Sequence, residues 1–545
     1  MLRNFENRKS KIRNFKFPHS PSQDTDVTTP NTEPWSPTLR FPKRVVILGG
    51  DHVAWMAATL IARTLYKLKI RTTVCPGQDS QTPSNRTFTS SSSLTGLLAS
   101  MGVDEHDLLK ACGGTYRLAT QFSDWSAVGR DFWQPLGVES LQIDGRSLFD
   151  VWATERIAGR LLRPLHSYSP HWTACLAGKA PHSFSGTSAI GESGHYGFHG
   201  DAGGLATWFR SAALQVGVEE VAGQIGRTFP NGRGGIGQVK LQSGHPVPGD
   251  LFIDCRAPDQ ISTDDFSDLS DRFLCNRRVN VASAATRQVQ PFTRVTALDS
   301  GWQLTAPLAA ETRHSYAFSS HFVTDDTAAE QLTSNVNSRL EQPLTSNNAI
   351  DFGDVSHYRR RTFCADNVLH LGRSAWGMEA LSSTDLHVDL AAVELMLELF
   401  PDRSVGKATR EEFNRRMTSL ADEQQTFLQL HHALVNSADT AYREAAVAAA
   451  NSDTVQQLLA IYDATTRIRI QNPQSAPAAY YHGLLAGCSR LPKQALAVSN
   501  NAVASRMQQV LRDMVQHNEA LVKDLPVHEE LLDWIHTGPF QQRVG

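Results

Sequence analysis

The chain has 545 residues with 52 basic and 55 acidic side chains, so it carries no global basic signal for nucleic acid and is long enough for a large core or two to three domains. No apolar run approaches the ~18 residues that span a bilayer. The seven cysteines form no C-x-x-C pair and none of the usual zinc spacings, which predicts buried thiols in a reducing, cytoplasmic compartment and no metal site.

Residues 1–40 begin basic (Arg3, Arg8, Lys9, Lys11, Arg13, Lys16) and turn Ser/Thr/Pro-rich. Without an apolar segment they are not a secretory signal, and a disordered extension is expected. Residues 43–65 read as a buried strand (Val45, Val46, Ile47, Leu48), a glycine turn, and a helix with Trp55, Ala58, Ile61, Ala62 and Leu65 at helical spacing. This is the opening unit of a dinucleotide-binding fold, in which a helix N-terminus receives a pyrophosphate. The G-x-G-x-x-G pattern appears as Gly49, Gly50, Asp51 and Ala54. Alanine is small enough for the last position, but Asp51 stands where a glycine normally lets backbone approach the phosphates. Two like charges ~4 Å apart repel by ~4 kcal/mol at an effective dielectric of about 20.

Residues 70–75 have the β-branched content of a second strand, which runs into Cys75-Pro76-Gly77 without the carboxylate that would hold a ribose. Residues 78–93 read as a long polar loop and 94–109 as a helix ending at Gly113-Gly114. Further on, 202–216 is helical, 218–227 and 239–243 are extended, and 250–255 has the character of a buried parallel strand. Strands are also expected at 313–323 and 368–371, and helices from about residue 385. Thr409-Arg410-Glu411-Glu412 is a capping box ahead of Phe413, Met417 and Leu420. The expected fold is α/β: a dinucleotide-binding body at 41–400 and a largely helical C-terminal layer at 401–545.

The order of several motifs resembles the flavin-dependent tryptophan halogenase family over nearly everything after residue 40. The matching pieces include Trp55-Met56-Ala57-Ala58, Phe198-His199-Gly200-Asp201-Ala202-Gly203, Leu251-Phe252-Ile253-Asp254-Cys255, Tyr358-Arg359-Arg360-Arg361, Leu381-Ser382-Ser383-Thr384 and Asn414-Arg415-Arg416-Met417. The resemblance implies an FAD-dependent monooxygenase-like body that uses reduced flavin delivered by a flavin reductase. It implies oxidation of chloride or bromide to hypohalous acid, which a lysine presents to an aromatic, tryptophan-like substrate while a glutamate acts as base. By the same resemblance Gly49, Gly50, Ala54 and Trp55 are cofactor-binding positions, and Ser383 and Thr384 belong to the halide site.

The departures fall on chemistry. Arg117 stands at the lysine position and Ser382 at the glutamate position. Arginine keeps the charge but is not interchangeable with lysine at a reacting site, and a serine hydroxyl accepts no proton at pH 7 without a partner base. Asp51, Pro76 and the replacement of the family's Gly-Val-Gly-Glu-Ala-Thr segment by residues 85–90 work against FAD binding. The second tryptophan and the isoleucine of the Trp-x-Trp-x-Ile-Pro signature are absent from 302–307, Gln134 replaces a substrate-side histidine, and Asp385 adds charge beside the halide position.

A degenerate, halogenation-incompetent member is therefore expected. Two other readings are an active flavin-dependent halogenase or monooxygenase, and a non-catalytic partner. The partner would bind a small aromatic or peptide ligand, form a homodimer or pair with a homologue. A different reaction in the same cleft would draw on Arg117, Glu379, Ser382, Ser383, Asp385 and His387. His387 and the pair His431-His432 read as ordinary helix residues. No nucleic-acid or membrane partner is expected.

Overall fold

The computed structural model describes residues 41–538 except 78–85, 138–141, 144, 187, 233, 346, 384, 401–404, 436–438 and 495–500. The extension expected at 1–40 lies outside the described residues.

Strand β1 (Arg44–Leu48) leads through the glycine turn into α1 (His52–Thr64), and the chain returns as β2 (Arg71–Cys75). Short strands β3 (Thr87–Thr89) and β4 (Thr115–Arg117) follow, then β5 (Ala119–Ser123), β6 (Asp131–Pro135) and β7 (Gly197–Asp201). After α2 (Ala202–Gln215) come β8 (Glu219–Glu220), β9 (Leu251–Asp254), β10 (Arg277–Ala284), β11 (Phe292–Leu298), β12 (Gly301–Pro307), β13 (Glu311–Phe318), β14 (Ile350–Asp354), β15 (Cys364–Ala365) and β16 (Val368–His370). The last third is mainly helical and includes α3 (Asp385–Leu399) and the long α4 (Lys407–Ala433).

One sheet has the order β8-β2-β1-β9-β16-β15. Strand β1 pairs parallel with β2 on one side and with β9 on the other, Leu48 lying opposite both Cys75 and Asp254. The chain thus leaves β1 in both directions, and a doubly wound sheet opens a crevice at the carboxyl ends of such strands. A seven-stranded sheet, β14-β10-β13-β12-β11-β5-β6, and a small one, β3-β7-β4, complete the walls.

Burial explains the strands at the centre. Val45 to Leu48 and Leu251 to Ile253 are fully enclosed, the pattern of a parallel strand covered on both faces. On one face Trp55, Ala58 and Ile61 of α1 share a core with Phe209 and Ala213 of α2 and with Phe413, Met417 and Leu420 of α4. A second core joins Phe122 and Phe132, stacked at 4.8 Å, to Phe427, Leu428 and Leu430 of α4. The helical layer is therefore packed into the body, and the described residues from Phe41 onward form one compact unit. All seven cysteines are buried and none forms a disulfide. No helix among the described residues is long and apolar enough to cross a membrane.

Three local expectations are corrected. Residues 87–89 are a strand inside the stretch read as loop, because Phe88 pairs across to Gly200 of β7. The helix expected at 94–109 is two, Ser92–Met101 and Glu105–Cys112, divided at Gly102, which caps the first in the left-handed region. The capping box at Thr409 is not used. Helix α4 starts at Lys407 with Gly406 as an N-cap that makes no side-chain bond, and Arg410 reaches back to the Val405 carbonyl at 2.8 Å.

Candidate functional site

The turn after β1 is held by backbone. Gly49 (φ +116°) donates its N–H to the Cys75 carbonyl at 3.0 Å, and a Cβ there would sit 3.2 Å from the Cys255 backbone, so only glycine fits. Asp51 is the N-cap of α1, and its Oδ1 accepts the Ala54 N–H at 3.0 Å. The carboxylate thus occupies an amide of the first helical turn, where a dinucleotide fold places phosphate oxygens. Gly49 and Gly50 border the cavity described next. Ala54 and Trp55 are buried in the core beneath it and supply packing.

A cavity of about 930 Å³ opens at the carboxyl ends of β1, β2 and β9, with Pro76, Cys255 and Arg256 at its edge and the seven-stranded sheet as its far wall. Its lining is rich in arginine. Arg256 is neutralised by Asp254 (Nη2–Oδ2 2.7 Å, Nε–Oδ1 3.0 Å). Arg313 is neutralised by Asp201 at 2.7 Å and Glu311 at 2.6 Å. Arg86, Arg278 and Arg373 line the same cavity with no ion-pair partner among the described residues. The Nε atoms of Arg86 and Arg278 are buried without a hydrogen bond. Burial, and then the charges of Arg278 and Arg373, push the Arg86 guanidinium down to about 10. Carboxylates also reach this space, namely Asp51, Glu311, Asp351 and Asp385.

Arg117 ends β4 and lies inside the protein, 1% exposed, away from the cavity lining. Its Nε donates to Thr293 Oγ1 at 2.8 Å, Nη1 to the Ser90 carbonyl at 2.8 Å and Nη2 to Thr120 Oγ1 at 2.5 Å. Among the described residues no carboxylate forms an ion pair with it, and burial pushes it down to about 10. Thr293 Oγ1 lies 2.9 Å from His199 Nε2, His199 Nδ1 lies 2.9 Å from Thr115 Oγ1, and Thr115 donates to the Pro307 carbonyl at 2.7 Å. Only one proton arrangement satisfies this chain. Thr115 has given its proton to Pro307, so it accepts from Nδ1, leaving Nε2 of a neutral His199 to accept from Thr293. Burial and the Arg117 charge hold His199 well below its ordinary range, in keeping with that neutral form.

Ser382 has φ +61°, unusual for a non-glycine residue, and is buried. Its hydroxyl is 2.7 Å from His431 Nε2 and 3.3 Å from Gln134 Oε1. His431 Nδ1 donates to the Phe427 carbonyl at 2.9 Å, so Nε2 is the acceptor for Ser382. A serine bonded to an oriented histidine has the outline of a nucleophile and base. Burial, however, pushes His431 down to about 3, too weak a base at neutral pH, and Ser382 does not line the cavity.

Neighbouring groups are also committed inside the fold. Glu379 Oε2 pairs with His432 Nε2 at 2.7 Å, and although burial pushes the carboxyl up, His432 and His357 together hold it below its ordinary value. His387 bonds Ser93 Oγ at 2.6 Å and the Gln474 carbonyl at 2.8 Å. Asp385 opens α3 at the cavity rim. The Ser383 side chain and Thr384 lie outside the described residues.

Among the described residues the positions singled out by sequence therefore separate. Gly49, Gly50, Asp51, Pro76 and Asp385 meet at the cavity, whereas Arg117 and Ser382 sit in sealed hydrogen-bond networks. Sequence reasoning missed Arg278, Arg313 and Arg373, which arrive from three distant segments and carry no motif.

The sequence profile described as "Tryptophan halogenase" matches residues 44–503. Tryptophan 6-halogenase ThaL of Streptomyces albogriseolus is 25% identical over 91% of this chain and 98% of its own length. Among solved structures, BrvH, a flavin-dependent halogenase from Brevundimonas sp. BAL3, aligns with a TM-score of 0.79 at 25% identity over 90% of this chain and 99% of its own. A tryptophan halogenase from Shewanella frigidimarina NCIMB 400 aligns with a TM-score of 0.83 at 20% identity, covering 92% and 98% of the two chains.

Proposed function

The chain belongs to the tryptophan halogenase family, and on that premise we propose that it binds FAD but no longer delivers electrophilic halogen to an aromatic ring. The observation that carries this reading is the setting of Arg117, all three arms of whose guanidinium donate to neutral acceptors in a closed network. The family chemistry needs a lysine amine able to hold hypohalous acid, whereas arginine fixed in this way offers no lone pair, and each of its three nitrogens is already held by an acceptor inside the fold. Ser382, bonded to a neutral His431, cannot take the place of a carboxylate base.

The flavin half of the reading rests on the cavity. Its volume of about 930 Å³ lies at the large end of the roughly 300–1,000 Å³ usual for ligand pockets. A dinucleotide carries two negative charges, and three unpaired guanidiniums, two of them with an orphaned buried Nε, suit such a ligand. Gly49 and Gly50 would border it at the turn, and Arg86, Arg278 and Arg373 would face it from the walls. When bound in its reduced form, FAD supplies oxygen activation. A flavin reductase is the partner that this chemistry requires.

The test has two parts. FAD titration of the purified protein, followed by quenching of flavin fluorescence, is expected to saturate in the micromolar range. With a flavin reductase, NADH, bromide and tryptophan, mass spectrometry is expected to find no brominated product above the protein-free control. Product above that control would overturn the halogenation half, and no binding at hundreds of micromolar FAD would overturn the flavin half.

A further inference from the structure

We propose that Arg86, Arg278 and Arg373 form the anion receptor of the cavity and take the pyrophosphate of the dinucleotide, the task that Asp51 denies to the N-terminus of α1. This rests on the flavin-binding reading above and assigns the residues that do the work.

The three arginines converge from separate parts of the fold. Arg86 directly precedes β3, Arg278 lies on β10, and Arg373 follows β16. Two glycines make room for them. Gly353 sits opposite Arg278 in the ladder between β10 and β14, and a Cβ there would lie 3.0 Å from Arg278 Nε. Gly372 (φ +56°) packs against the first turn of α1, where a Cβ would lie 3.1 Å from Val53 Cγ2. That contact brings Arg373 close to the helix N-terminus, where the phosphate-binding amide is already bonded to Asp51.

The other two arginines of the lining have carboxylate partners in direct ion pairs, whereas these three have none among the described residues. Arg86 feels Asp51 and Asp351, and Arg278 feels Asp351, only through space. Like charges gathered in one cavity repel, and a buried guanidinium nitrogen without an acceptor loses its hydration. Both costs disappear when a multivalent oxyanion arrives. A pyrophosphate presents oxygens to several planar forks at once, the geometry in which arginine binds best. Of the carboxylates flanking Gly353, Asp354 pairs with Arg277 at 2.7 Å, and Asp351 accepts from Asn280 Nδ2 at 3.3 Å and makes no direct ion pair with the three, although its charge acts on Arg86 and Arg278.

The test measures binding of FAD, riboflavin and pyrophosphate to the intact chain and to Arg86→Gln, Arg278→Gln, Arg373→Gln and the triple variant. Arg373 is exposed to the cavity, so its variant keeps a probe that does not disturb packing. Each single change is expected to weaken FAD binding on the order of tenfold, the worth of one charged hydrogen bond. Riboflavin, which lacks phosphate, should bind all variants equally. The unfolding temperature should not fall, since removing mutually repelling charges relieves the fold. If FAD binds and the variants bind it unchanged, the receptor assignment is wrong while the flavin reading stands. If FAD does not bind but pyrophosphate does, and the triple variant loses it, the flavin reading fails and the receptor stands. If neither binds, both are overturned.

Discussion

Replacing Asp51 by glycine measures where the cavity holds negative charge. The carboxylate accepts the Ala54 N–H at 3.0 Å, so a phosphate seated on the first turn of α1 would compete for that proton at contact distance. Two unit charges ~4 Å apart repel by ~4 kcal/mol at an effective dielectric of about 20, and removing that repulsion would tighten FAD binding on the order of a thousandfold. A phosphate held by the arginines stands farther off. At ~8 Å the repulsion is ~2 kcal/mol, and physiological salt screens it further. The expected gain for Asp51→Gly is therefore about three- to thirtyfold and shrinks as salt rises. Helix capping changes little, because glycine at an N-cap costs only a few tenths of a kcal/mol. Flavin fluorescence quenching at two salt concentrations gives the number. A gain on the order of a thousandfold would put the phosphates on the helix N-terminus and refute the arginine assignment. No gain at low salt would mean that the carboxylate faces no anion at all.

Arg117→Lys should lower stability by about 2–4 kcal/mol, because an ammonium cannot reach Thr293, Ser90 and Thr120 together, and charged hydrogen bonds are worth about 1.5–3 kcal/mol each. A fall in the urea midpoint reads this out, and the variant should not gain halogenation. Stability should also drop between pH 6.5 and 5. His171 and His431 are held at about 3 and His528 at about 4 by burial, so below pH 6.5 the unfolded chain takes up protons that the folded one refuses. Each contributes about 2 kcal/mol of loss by pH 5, and a midpoint unchanged over that range would contradict their neutral burial. Gly301→Ala should be poorly tolerated, since its Cβ would stand 1.9 Å from the Ala317 carbonyl oxygen on the neighbouring strand. Overpacking of this kind costs about 1–3 kcal/mol, or more against backbone, and shows as a lowered unfolding temperature.

Where structure follows from local pattern, it was legible in the sequence. The apolar run at 45–48, the glycine turn and the spacing of Trp55, Ala58 and Ile61 define β1 and α1, because period and turn chemistry act over a few residues. The run at 251–254 was readable as a buried parallel strand for the same reason. Strand β3 was not, since a polar stretch around Phe88 becomes extended only by pairing with β7. The cap at Thr409 failed because packing of Phe413 and Met417 carries α4 past the local signal.

The sequence by itself determined the family, the arginine and serine at the reacting positions, and the aspartate in the turn, because residue identity is local information. Only the tertiary structure decided what those residues do. It placed Arg117 among three neutral acceptors, gave Ser382 a histidine partner and turned Asp51 back onto its own helix. It also gathered Arg86, Arg278 and Arg373 into one cavity. Charges that far apart in the chain meet only where sheets and loops pack, and no short-range pattern encodes that meeting.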